Sequence, residues 1–99
     1  MGAHKSWAEL RAEALSHPGA SGAYEAARIR FEVGEAVRER RRQLGLTQAE
    51  LAEWAGLKQP AVARLEGGGT MPTIPVLERI AQALEVRLSV EFHPLREAG

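Results

Sequence analysis

Residues 47–66 read TQAELAEWAGLKQPAVARLE, and this stretch decides the architecture. Thr47 is placed to cap a helix, and Glu50 three residues on completes a reciprocal capping box. Leu51, Ala52 and Ala55 then recur at helical spacing. Gly56 stops that helix, because glycine takes the left-handed conformation without steric strain. A second short helix follows within two residues. Its apolar positions are Val62 and Leu65, and Gly67-Gly68-Gly69 ends it.

Two short helices joined by a tight turn containing glycine describe a helix-turn-helix. Thr47-Gln48, Leu51-Ala52, Gly56, Gln59, Val62 and Leu65-Glu66 resemble the pattern of the XRE, or lambda-repressor-like, DNA-binding family. The resemblance runs from about Arg38 to Val86, half the chain.

Working outward toward the N-terminus, a helical pattern covers about Ser21 to Leu44. One stripe is Tyr24, Ala27, Phe31, Gly34, Val37, Arg41 and Leu44, and a second is Ala26, Ile29, Val33 and Ala36. A helix with one neighbour needs one apolar stripe. A second stripe implies a second partner, either an earlier helix or another chain, unless both are simply internal core. Gly34 in mid-helix costs about 1 kcal/mol relative to alanine. It reads as a bend where an N-terminal extension meets the following module. Ser6 to Glu9 forms another capping box, starting a helix at Trp7 with Leu10 and Ala14 on one face. His17-Pro18-Gly19 ends it, since the residue before proline avoids the helical region.

Toward the C-terminus, Thr73 is placed to cap a helix from Ile74 to about Leu84, with Pro75 tolerated in its first turn. Leu77, Ile80, Ala81 and Leu84 form the buried face. Val86, Leu88, Val90 and Phe92 then alternate with Arg87, Ser89 and Glu91, which predicts a strand ended by Pro94. The chain shows no second strand, so this one is expected to pair with another molecule and to join a homodimer, the alternative being an irregular extended tail against the core. The expected fold is mainly α: a five-helix lambda-repressor-like DNA-binding domain with an N-terminal helical extension and a C-terminal β-strand. Its divisions are residues 1–35 as the extension, which binds a partner, 36–85 as the DNA-binding domain, and 86–93 as the strand.

Composition narrows the classes. The 99 residues balance thirteen Lys and Arg against thirteen acidic residues, all Glu. Zero net charge is unusual where affinity comes mainly from phosphates. Distribution matters more than the sum: residues 38–42 hold four arginines and one glutamate. The lack of cysteine excludes disulfides and fits a reducing, cytoplasmic location. No apolar run approaches a membrane span or a signal-peptide core. His4, His17 and His93 are scattered, aspartate is absent, and no catalytic or metal-binding spacing appears. The chain therefore reads as a non-enzyme that needs no cofactor.

The resemblance implies where double-stranded operator DNA would bind. The family lays the second helix of the motif in the major groove, with its first residues at base edges. Carried over, Lys58, Gln59, Pro60 and Arg64 face the bases. Gln59 can bond adenine bidentately and Arg64 guanine. Lys58 can reach a phosphate or a guanine, and Pro60 offers only apolar contact. Gln48 matches the position that bonds a backbone phosphate, where the helix dipole favours an anion. Arg38, Arg40 and Arg42 can add phosphate contacts or simply form a solvated face. Arg41 and Glu66 match a family pair that forms a buried salt bridge. Trp54 stands where the family carries a polar surface residue; it either packs on the extension or meets a partner.

The whole arrangement further resembles the HigA-type antitoxins of type II toxin–antitoxin pairs. That resemblance implies a homodimer that represses its own operon and neutralises a RelE/HigB-like ribonuclease toxin. Trp7, Leu10, Tyr24, Ile29 and Phe31 are then the candidate toxin contacts, since aromatic anchors are typical of interface hot spots. Two other readings stay open. One is a freestanding XRE-family transcriptional regulator, and the other is an interaction adaptor that no longer binds DNA.

Overall fold

A computed structural model describes residues 21–95, together with Ser6, Ala8 and Glu9. Ser6 and Glu9 form the reciprocal cap: the Ser6 amide donates to Glu9 Oε1 at 2.9 Å, and the Glu9 amide donates to Ser6 Oγ at 3.1 Å. Ala8 and Glu9 are helical, and the rest of that segment, including Trp7 and Leu10, lies outside the described residues.

The described residues hold four helices: α1 (Ser21–Gln43), α2 (Gln48–Ala55), α3 (Gln59–Glu66) and α4 (Ile74–Ala83). Each of α2 and α4 starts on a threonine. Thr47 Oγ1 accepts the Glu50 amide at 3.0 Å, and Glu50 Oε1 accepts the Thr47 amide at 2.8 Å. Thr73 Oγ1 accepts the Val76 amide at 3.4 Å. All four helices close with the same pair of backbone bonds, in which two successive amides reach back to the last turn. The residue between them is left-handed. It is glycine after α1, α2 and α3, at Gly45, Gly56 and Gly68, but glutamate after α4, where Glu85 has φ 58°.

The core lies where α2 packs on α3 and α4, and α1 packs on α3. It is built from Val37, Leu51, Ala55, Val62, Leu65, Ile80 and Leu84, with Leu44, Leu46, Leu57 and Val76 against its edge. Leu51, Ile80, Leu84 and Val62 are completely enclosed. The first stripe of α1 turns inward: Ala27, Gly34 and Val37 are buried, and Tyr24, Phe31, Arg41 and Leu44 are half-buried. The second does not: Ala26, Ile29 and Ala36 are exposed, and only Val33 is half-buried.

Gly34 has a different role from the one its position suggested. α1 continues through it as one helix. A Cβ there would press directly on the Leu65 carbonyl oxygen and lie 2.9 Å from that of Glu66. The glycine lets α1 touch the backbone at the C-terminal end of α3.

The expected five-helix fold with a C-terminal strand is overturned. Among the described residues there are four helices and no strand. Residues 86–94 carry no regular secondary structure, Leu95 is a bend, and no ladder bonds are present among the described residues. The alternation does not separate two faces either: of the apolar set only Leu88 is half-buried, lining a pocket with Val33, Ala36 and Leu77, while Val86, Val90 and Phe92 are exposed, as are Arg87, Ser89 and Glu91. A strand also needs a neighbour to hydrogen-bond with, and no described segment supplies one. No described helix is long and apolar enough to cross a membrane.

Candidate nucleic-acid interface

The turn between α2 and α3 brings the starts of both helices together. Gln48 is the first residue of α2 and Gln59 the first of α3. Gln59 Nε2 donates to Gln48 Oε1 at 2.8 Å. Gln48 Nε2 in turn donates to Glu66 Oε1 at 3.1 Å. Glu66, at the far end of α3, is buried, and it is held by Arg41 of α1. Arg41 Nε donates to Glu66 Oε2 at 2.6 Å and Arg41 Nη2 to Oε1 at 2.9 Å. Arg41 Nη1 also donates to the Leu46 carbonyl at 2.9 Å, tying the loop before α2 to the same point. Four side chains from three helices thus form one continuous network, and it ends at the surface on Gln59.

The electrostatics of the network follow from burial and pairing. Burial pushes the Glu66 carboxyl upward, but hydrogen bonds from Arg41 and Gln48, with the charge of nearby Arg38, outweigh it. The net result is a carboxyl below its ordinary range and therefore ionised at neutral pH. The Arg41 guanidinium is held above its usual value by the bond to Glu66, against the opposing effect of burial.

Lys58, Gln59 and Pro60 are all exposed at the start of α3, and Arg64 is exposed in its last turn. Lys58 occupies the cap position without a side-chain cap bond, so its ammonium is not used to close the helix. Pro60 and Arg64, four residues apart, share one face. Gln48 is half-buried between Glu66 and Gln59.

The arginine cluster divides by direction. Arg41 turns inward. Arg40 crosses to α4, where Nε donates to the Leu84 carbonyl at 3.0 Å and covers a helix C-terminus. Arg38 and Arg42 stay exposed, beside Glu35, Glu39 and Gln43. Local sequence carried no signal for the Arg40 contact, because its partner lies 44 positions away.

The proposed partner residues are less unified. Phe31 is half-buried with its ring against Gly68, where an added Cβ would come within 2.8 Å of Cδ1. Tyr24 is half-buried and Ile29 is 42% exposed. Of the C-terminal set, Val86, Val90 and Phe92 are exposed and Leu88 is half-buried. Trp54 is 61% exposed, so the described residues do not enclose it.

A helix-turn-helix family model matches residues 37–90, more than half of the chain. The chain belongs to the XRE-type helix-turn-helix family. Within that family it is 46% identical over 48 residues to an "uncharacterized HTH-type transcriptional regulator" of Methanothermobacter thermautotrophicus, covering 48% of this chain and 70% of that one. It is 41% identical over 56 residues to a regulator of the same description from Haemophilus influenzae, covering 57% of this chain and 55% of the other. It is also 34% identical over 61 residues to human endothelial differentiation-related factor 1, covering 62% of this chain but 41% of that protein. The chain thus spans about half or less of two of these relatives. No solved structure matches it at comparable significance.

Proposed function

We propose that this helix-turn-helix protein is a sequence-specific DNA-binding transcriptional regulator, with α3 entering the major groove. The observation that carries this reading is the Gln48–Gln59 pair. It fixes Gln59 at the exposed start of α3 while using only one N–H of its amide. The remaining oxygen and N–H form the acceptor–donor edge that pairs with adenine. Gln48 keeps its second N–H for a phosphate, and Lys58 and Arg64 flank the same helix. Arg38 and Arg42 are the candidate outer phosphate contacts. Selection from a pool of random duplex DNA tests the proposal. A defined motif is expected, and recovery of unselected sequence would remove the regulator reading in favour of an adaptor.

The protein is proposed to act as a homodimer, since helix-turn-helix dimers place two recognition helices on half-sites about one helical turn apart. The segment 86–92 is the proposed contact, since the described residues leave Val86, Val90 and Phe92 exposed. Sedimentation of a chain truncated after Glu85 tests this. Loss of the dimer is expected, and an equally tight dimer would move the contact elsewhere.

The finer reading is an antitoxin that binds a RelE/HigB-like toxin. The exposed second stripe of α1, with Ile29 at its centre, favours a protein partner ahead of the DNA-binding helices. Co-expression with the adjacent reading frame tests it. Full growth rescue by a folded chain lacking residues 1–22 would rule out an essential toxin contact in that deleted segment.

A further inference from the structure

The side chain that reads a base is the last member of a chain of bonds that begins in the core. A primary amide has nearly the same shape in two orientations, with oxygen and nitrogen exchanged, but the two present opposite hydrogen-bonding edges. Something must choose between them. Glu66 is buried and ionised, so it only accepts. Both of its oxygens already take bonds from Arg41. Gln48 can therefore meet Glu66 only through its NH2, as it does at 3.1 Å. That turns the Gln48 oxygen toward Gln59. Gln59 must then offer its own NH2, as it does at 2.8 Å. Its oxygen and second N–H are left facing outward.

We infer that the Arg41–Glu66 ion pair sets the direction of the Gln59 amide through Gln48, so that Glu66 and Gln48 are positioning residues for the base that α3 selects. The inference rests on the DNA-binding reading above. The outward edge is complementary to adenine, whose N6 donates and whose N7 accepts. The reversed amide would place a donor where the oxygen now stands. It would oppose the N6 donor of adenine and donate instead to the O6 of guanine. One charge in the core thus selects between two bases through two neutral side chains.

Glu66→Gln tests the direction. It keeps the shape but adds a donor, and satisfying Arg41 with its single oxygen turns the new NH2 toward Gln48. Gln48 and Gln59 then reverse. Two readouts are taken on the full chain. The first is proton exchange of the Gln59 side-chain amide in the free protein, followed by NMR. One slow proton is expected in the wild type and none in the variant. The second is base preference at the position that Gln59→Ala identifies in selected DNA. The wild type should favour adenine there by about 5- to 150-fold over the other bases. Glu66→Gln should bring that ratio to parity or turn it toward guanine.

If Glu66→Gln does not fold, Gln48→Leu keeps the ion pair and cuts the link. Its adenine preference should fall toward parity, with selectivity at the Arg64 position unchanged. Adenine preference at wild-type strength in Gln48→Leu, or in a folded Glu66→Gln, would overturn the inference. If the wild-type protein selects no sequence at all, the DNA-binding reading fails by itself. The amide exchange still decides the relay: a Gln59 proton protected in the wild type and released in Gln48→Leu supports it, and an unprotected one in the wild type refutes it.

Discussion

Gly34→Ala tests how closely α1 approaches α3. On an isolated helix this change would be favourable by about 1 kcal/mol, because alanine is the better helix former. Here the new methyl would press on the Leu65 carbonyl oxygen and lie 3.0 Å from the Glu66 carbonyl carbon. These are backbone atoms, which cannot swing aside as a side chain can. The Leu65 oxygen also accepts the Gly68 amide at 3.0 Å, and Glu66 is pinned to Arg41. Overpacking costs about 1–3 kcal/mol and more where the wall is rigid. Taking about 3 kcal/mol of loss against about 1 kcal/mol of gain leaves about 2 kcal/mol of net destabilisation. For a chain of this size that lowers Tm by about 8–16 °C. Thermal unfolding followed by circular dichroism measures it. Gly22→Ala is the control, since nothing lies within 4 Å of a Cβ there, and it should be neutral or slightly stabilising. A Gly34→Ala protein as stable as the wild type would refute the close approach.

Other outcomes follow from the same structure. Glu85→Gly relieves a left-handed glutamate, a gain of about 1–2 kcal/mol set against about 0.5–1 kcal/mol of added chain entropy, so urea unfolding should show a small stabilisation. Arg41→Ala leaves the Glu66 carboxylate buried and unpaired and should cost about 3–5 kcal/mol near neutral pH. Wild-type Glu66 titrates below its unfolded value of 4.5, so its stabilisation is present above that value and is lost as pH falls through the lower, folded one. In Arg41→Ala the largest opposing effect, burial, loses its main counterweight. The stability gap between the two proteins should therefore narrow as the solution is acidified from pH 7 to pH 4. Equal destabilisation at both pH values would contradict the ion-pair assignment.

What the sequence revealed and what it hid divide along one physical line. Thr47, Glu50 and Gly56 were legible because capping is local chemistry, completed within four residues. The inward stripe of α1 was legible for a similar reason, since period alone assigns a face. The C-terminal alternation was read wrongly as a strand with a buried face, because period does not supply a ladder partner and only Leu88 of its apolar set finds cover among the described residues. Gly34 looked like a bend when judged within its own helix. Only the approach of α3 from 31 positions away explains it. Arg40 looked like one more surface cation in a basic run, yet its bond is to the end of α4. At the candidate interface the residue types of α3 could be read from the motif. The coupling of Gln59 to Gln48 and Glu66 could not, because it joins two helix starts and a helix end that meet only after folding.

The most direct test is the ratio of specific to non-specific affinity, measured for the wild type and for a Gln59→Ala, Arg64→Ala double variant. Both are titrated at one fixed salt concentration against the selected duplex and a scrambled duplex of the same length. Each bidentate base contact contributes about 1–3 kcal/mol of discrimination, so the double variant should lose about 2–6 kcal/mol of it while its affinity for the scrambled duplex changes little. A double variant that keeps the wild-type ratio would show that α3 is not the element that reads the sequence.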